Sequence, residues 1–119
     1  MKSLSTLIKL QKTYVDEQRL QLARLQENLE NVEQQIAAHD IAMTREQLAA
    51  EDNQEARSTY GAFLKAAVAK ARALELDRQT ALGAVEIART KLAELFEEQK
   101  RYEVAEENRL AAEAAATLR

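Results

Sequence analysis

Residues 51–59 read EDNQEARST, and Tyr60-Gly61 follows directly. This polar cluster ending at a glycine is the one place in the chain where the apolar pattern of the flanking sequence lapses, so a reversal of the chain belongs here. Whether it reverses decides between a hairpin and a single long helix.

On the N-terminal side, alternating steps of four and three residues from Leu4 give Leu4, Ile8, Gln11, Val15, Gln18, Leu22, Leu25, Leu29, Val32, Ile36, His39, Met43, Glu46 and Ala50. That is a sustained heptad with one of its two positions apolar throughout. On the C-terminal side the same alternation from Tyr60 gives Leu64, Ala67, Ala71, Leu74, Arg78, Ala81, Val85, Ala88, Leu92, Leu95, Gln99, Tyr102 and Glu106. A reversal within 51–59 brings the two seams into phase, with Ala50 facing Tyr60, Met43 facing Ala67, Ile36 facing Leu74 and Leu4 facing Glu106. Large then meets small, Leu29 against Ala81 and Leu22 against Ala88, as close packing prefers. Gln11 falls opposite Gln99, where two amides satisfy each other and discourage slipped registers.

Charge supports the same reversal. Asp40, Glu46, Glu51, Asp52 and Glu55 end the first arm against Arg45 alone, whereas residues 57–72 carry Arg57, Lys65, Lys70 and Arg72 and no acid. A hairpin sets these blocks side by side, although exposed pairs contribute only about 0–1 kcal/mol each. The competing architecture is one uninterrupted helix that dimerises in parallel.

Composition leaves little besides helix. There is no proline and there are only two glycines, and aromatic residues make up 4% of the chain, too few for an ordinary globular core. The expected fold is all-α, an antiparallel two-helix coiled-coil hairpin in a single domain, with arm one at about 3–50, the turn at about 51–59 and arm two at about 60–115. Each arm of about 50 residues would be about 75 Å long at 1.5 Å per residue. The alanine-rich end NRLAAEAAATLR overhangs the N-terminus in this register, able to remain helical without packing on anything, and fraying is expected there.

Several function classes lack their parts. The 17 basic and 20 acidic residues are interspersed, so there is no basic footprint for nucleic acid. No phosphate-cradling GxxxxGK[ST] or GxGxxG loop occurs, and with no cysteine a thiolate metal site is excluded. His39 is the sole histidine, and Ile36 removes the Glu-x-x-His pair of di-iron bundles. The chain is expected to be non-catalytic, without cofactor or metal. It has no apolar run of the roughly 18 residues that span a bilayer and no secretory pattern at its start, so it is expected in the cytoplasm.

The apolar residues left over after the seam is filled mark candidate contact sites. Leu4, Ile8 and Val15 point into the seam, whereas Leu7, Leu10 and Tyr14 form a second stripe turned by roughly 90° at 100° per residue. Read as packing, that stripe widens the seam; read as function, it is an apolar patch at the open end of the hairpin awaiting a partner. Near the turn Tyr60 and Phe63 lie together, either as a plug for the turn or as a second contact site. Glu46 and Arg78 interrupt the seam and are expected to lay their stems on it while their charges reach water. Gly83 lies mid-helix, off the seam, at a cost of roughly 1 kcal/mol relative to alanine.

LSTLIKL (4–10), YVDEQR (14–19), YGAFL (60–64) and ELFEEQKRYE (94–103) together resemble the FliJ family, the small coiled-coil protein of the flagellar type III export apparatus. The resemblance spans essentially the whole chain. It implies an antiparallel hairpin similar to the central shaft of rotary ATP synthases, monomeric when free, whose termini enter the hexameric export ATPase and promote its assembly and activity. It implies that the hairpin end reaches the cytoplasmic domain of the export gate membrane protein, and that export chaperones also bind. It therefore implies peripheral association with the inner membrane at the flagellar base. Virulence-type secretion systems have a counterpart stalk.

Carried over by position, the resemblance places Leu4, Leu7, Ile8 and Leu10, with Tyr14 beside them in the apolar stripe, at the ATPase. It places Gln35, His39, Ala42, Glu46 and Phe63, with Tyr60 beside it, toward the gate. The first-arm positions among these are more polar than the family's pattern. The alternative is a structural or scaffolding coiled coil that self-associates through Leu7, Leu10 and Tyr14.

Overall fold

The computed structural model describes residues 3–118. Two helices, α1 (Leu4–Asp52) and α2 (Gln54–Thr117), make up the fold, and no strand occurs among the described residues. The chain is all-α and forms an antiparallel two-helix coiled-coil hairpin. Its contacts divide into a terminal unit, α1 as far as Arg24 with α2 from Glu86 onward, and a turn unit, Leu25–Val85.

Local chemistry sets where each helix begins. Ser3 caps α1, its Oγ accepting the Thr6 N–H at 3.2 Å and its carbonyl accepting the Leu7 N–H at 3.1 Å. Asn53 caps α2, its Oδ1 accepting the N–H groups of Glu55 at 2.8 Å and Ala56 at 3.4 Å. The turn is therefore narrower than the stretch 51–59 suggests: Asn53 is the only residue between the helices. Ser58 and Thr59 belong to α2 because their hydroxyls donate back to the carbonyls of Glu55 at 2.7 Å and Ala56 at 3.1 Å, within the helix rather than against it.

In α1 the seam follows the heptad closely. Of its positions only Glu46 is exposed, and outside it only Leu7 and Leu10 are not. Val15, Val32, Ala50, Ala67, Leu74, Ala81, Val85 and Ala88 form the buried apolar core. Leu22 and Leu29 are half-buried, while the alanines assigned to face them, Ala88 and Ala81, are fully buried. In α2 Leu64 departs from the pattern, remaining 38% exposed at a seam position.

Three polar side chains are buried in the seam, Gln11, Gln18 and His39, and each reaches across to a backbone carbonyl of α2. In the terminal unit Gln11 Nε2 donates to the Leu95 carbonyl at 3.0 Å and Gln18 Nε2 to the Ala88 carbonyl at 3.2 Å. As α1 advances one heptad its partner in α2 retreats one, which defines the antiparallel sense. In the turn unit His39 Nε2 meets the Ala67 carbonyl at 2.9 Å. Each acceptor lies one turn before the heptad partner assigned from the seam. Helical carbonyls point toward the residue one turn ahead, so such an oxygen lies along the side chain's path to that partner.

The Gln11–Gln99 amide pair does not form. Gln99 Nε2 donates instead to Glu103 Oε1 at 3.0 Å on its own helix, because a carboxylate is a stronger acceptor than an amide. The charged blocks beside the turn likewise form no ion pair: all five described salt bridges lie within one helix, three or four residues apart. Holding two long exposed side chains in one geometry costs entropy comparable to the Coulombic gain. Apolar burial and the three side-chain-to-carbonyl bonds therefore hold the helices together, with one flanking cation–π contact described below.

Candidate functional site

The terminal unit carries the apolar residues in excess of the seam. Val15 is buried and Leu4 and Ile8 are half-buried, as seam positions should be. The second stripe is divided: Leu7 and Leu10 are half-buried, whereas Tyr14 is 43% exposed. Leu7 and Leu10 thus pack partly beside the seam and keep part of their surface open, and Tyr14 extends the same face into solvent.

Beyond this stripe α2 outruns α1. Ser3, Leu4 and Ser5 line one shallow concavity with Glu106 and Arg109, and every residue from Glu107 to Leu118 is exposed. Leu110 is among them, at 50%. The segment is helical as far as Thr117 without packing on α1. Arg109 braces it, reaching Glu106 Oε1 at 2.6 Å and Glu113 Oε1 at 2.7 Å, and the run of alanines has the highest helix propensity of any residue. The hydrogen bond from Arg109 holds the Glu106 carboxyl below the ordinary carboxylate range, against a smaller opposing effect of burial.

On the flank of the same unit Arg19 stacks over Phe96, its guanidinium carbon 4.9 Å from the ring centroid. Sequence reading did not single out this pair. The signal was present, since both residues immediately follow a seam position, Gln18 and Leu95, and in an antiparallel pair such positions flank the seam on the same side. Tyr102, half-buried, donates its hydroxyl to Glu98 Oε1 at 2.8 Å. That bond, with burial and the nearby negative charge, raises the phenol above its ordinary range.

In the turn unit Tyr60 and Phe63 stack with ring centroids 6.1 Å apart at 26°, each half-buried. Their exposed edges share the unit with Leu64, Val68, Ile41 and Leu48, all at least 38% exposed. Of the first-arm positions assigned to the gate, Gln35, Ala42 and Glu46 are exposed. His39 is not: it is 8% exposed, and its imidazole is engaged by the Ala67 carbonyl. A carbonyl only accepts, so Nε2 carries the proton, and the side chain serves the hairpin rather than its surface.

Arg78 lies on the seam and closes a two-pronged bond to Glu75, Nε to Oε2 at 2.9 Å and NH2 to Oε1 at 2.7 Å. This fork, aided by Gln79, lowers the Glu75 carboxyl, and Glu33 of α1 adds to the field that keeps Arg78 charged. No cluster of His, Cys, Asp and Glu suited to a metal ion occurs among the described residues, and no described helix is long and apolar enough to cross a membrane.

Compared with known protein families, curated proteins and solved structures, the chain matches none.

Proposed function

We propose that this protein is a non-catalytic stalk and regulator of a flagellar type III export ATPase. In this reading its terminal unit binds the hexameric ATPase and its turn unit contacts the cytoplasmic domain of the export gate, so that it joins the two and assists export of flagellar proteins. It works in the cytoplasm, held at the inner membrane by these partners, and export chaperones are further partners.

The observation that carries the reading is the antiparallel hairpin whose seam is filled while Leu7, Leu10 and Tyr14 keep apolar surface outside it. A filled seam needs no further apolar area, and a surplus of this kind marks an interaction surface. The stacked Tyr60–Phe63 pair, with Ala42 and Gln35 exposed, supports a second contact in the turn unit. Aromatic residues are enriched at such contacts because they present large area at small entropic cost.

The test uses purified export ATPase. Hydrolysis and ring assembly should both rise when the protein is added, and Leu7→Gln, Leu10→Gln and Tyr14→Ser together should remove the effect while helicity stays nearly intact. Unchanged hydrolysis and ring formation with and without the wild-type protein would end the proposal. A counterpart ATPase from a virulence secretion system, assayed in parallel, separates the two kinds of stalk.

A further inference from the structure

The reversal of the chain rests on one residue. Asn53 alone interrupts the helices, and around it the backbone ladder is nearly continuous: its N–H donates to the Ala49 carbonyl at 3.1 Å and its carbonyl accepts the Arg57 N–H at 3.0 Å. No described residue has a positive φ, and neither glycine nor proline lies at the hinge. What distinguishes the turn from a helix is the backbone of Asn53 and the loss of carbonyl partners for the N–H groups of Gln54, Glu55 and Ala56, of which the Asn53 side chain recovers the last two.

The heptad provides a second observation. Its alternation of three and four continues through the turn without a phase slip, from Ala50 through Asn53 and Arg57 to Tyr60. A hairpin has no use for this continuity, because its arms are separate helices that could be joined in any phase. One uninterrupted helix requires it, since only then do both seams lie on one face.

We propose that the chain exchanges helices with a second copy of itself. In the exchanged form Asn53 joins the helix, Leu4 to Thr117 becomes continuous, and two copies pair antiparallel so that α1 of each lies on α2 of the other. Every contact of the hairpin recurs between copies, including Gln11 on Leu95, Gln18 on Ala88 and His39 on Ala67. Asn53 and Arg57 become seam residues, each opposite the other in the second copy, with the exposed Glu51 and Asp52 beside the guanidinium. A polar layer at a seam position fixes register, as a buried asparagine does in dimeric coiled coils. Each copy loses a cap and regains a continuous ladder, which is the balance of a domain swap at a short hinge. This form is independent of the stalk reading and of self-association through Leu7, Leu10 and Tyr14.

The balance favours the hairpin at low concentration. Arms joined by a short link meet at an effective concentration of about millimolar, so the wild-type protein should be monomeric at micromolar concentration and populate the dimer only toward millimolar. Asn53→Ala removes the cap from each of the two hairpins that one dimer replaces, which should tighten dimerisation about 30-fold and bring it to tens of micromolar. Asn53→Gly keeps the break and should remain monomeric in that range.

Arg19→Cys with Phe96→Cys reports which chain supplies the partner, because the parent chain has no cysteine and the two side chains adjoin outside the seam. A short bis-maleimide should link them within one chain in the Asn53 protein and between chains in Asn53→Ala, with light scattering recording the mass. A monomer with intrachain links at every concentration, or a dimer whose links remain intrachain, overturns the proposal. Should Asn53→Ala lose helicity, the Arg19→Cys, Phe96→Cys protein that keeps Asn53, refolded from denaturant at millimolar concentration, must yield interchain links, and their absence is equally decisive.

Discussion

His39 Nε2 donates across the seam to the Ala67 backbone carbonyl at 2.9 Å, and the imidazole is buried. The Ala67 oxygen also accepts within its own helix, so removing the imidazole leaves no buried acceptor without a partner. His39→Leu should therefore hold or raise the thermal midpoint, since it removes a buried polar ring and fills the same seam position. His39→Ala should cost about 1–3 kcal/mol through the gap it leaves. Circular-dichroism melts separate the two, and equal losses in both variants would mean that the hydrogen bond dominates. Neither change should alter partner binding.

The hairpin was legible because the phase of a heptad belongs to the backbone. Two seams that match on reversal fix the register a hairpin adopts, while the same phase also suits one uninterrupted helix, and in α1 the assigned positions are covered apart from Glu46. Polar partners were not legible to the same degree. Gln11 bonds the Leu95 carbonyl rather than the Gln99 amide opposite it, and heptad spacing does not encode that choice. The turn was overread for a related reason: QEARST is polar but not helix-breaking, and its hydroxyls can bond backward along a helix. For the candidate site, excess apolar surface could be counted from the sequence, but its division into half-buried Leu7 and Leu10 and open Tyr14 depends on neighbouring side chains.

Arg19 over Phe96 is the one described cation–π contact, and it joins the two helices of the terminal unit. Both residues are exposed, so the interaction belongs to the weaker class of about 0.5–1 kcal/mol. A double-mutant cycle with Arg19→Gln and Phe96→Leu should return a coupling energy of that size by chemical denaturation. Arg19→Lys should recover only part of it, because an ammonium cannot stack as a guanidinium does. Zero coupling would show that Phe96 acts by burial alone.

The pH dependence has two limbs of opposite sign. Glu75 and Glu106 are depressed, chiefly by hydrogen bonds from Arg78 and Arg109, so they stabilise the folded chain above the ordinary carboxylate value of 4.5. That contribution is lost as pH falls through their lowered values. Tyr102 is raised by its bond to Glu98, so its contribution is present below the ordinary phenol value of 10.0 and disappears as pH rises through the raised one. Melting curves from pH 2 to 11, run at about 0.1 M salt, should fall at both extremes. Glu75→Gln with Glu106→Gln should flatten the acid limb only, and Tyr102→Phe the alkaline limb only.

Gly83 separates a requirement of the fold from a requirement of a partner. A Cβ built on it meets no atom within 4 Å, and its φ lies in the ordinary helical range, so the hairpin supplies no steric reason for glycine in the middle of a long helix. Gly83→Ala should stabilise the chain by about 0.5–1 kcal/mol, through higher helix propensity and a less flexible unfolded state. Denaturant titration at constant m-value measures this gain. The same variant then tests for a partner, because a helix or loop packed closely against residue 83 would clash with the added methyl. Increased stability with unchanged ATPase stimulation and gate binding would make Gly83 a tolerated glycine, whereas increased stability with selective loss of one partner would place that partner on the outer face of α2.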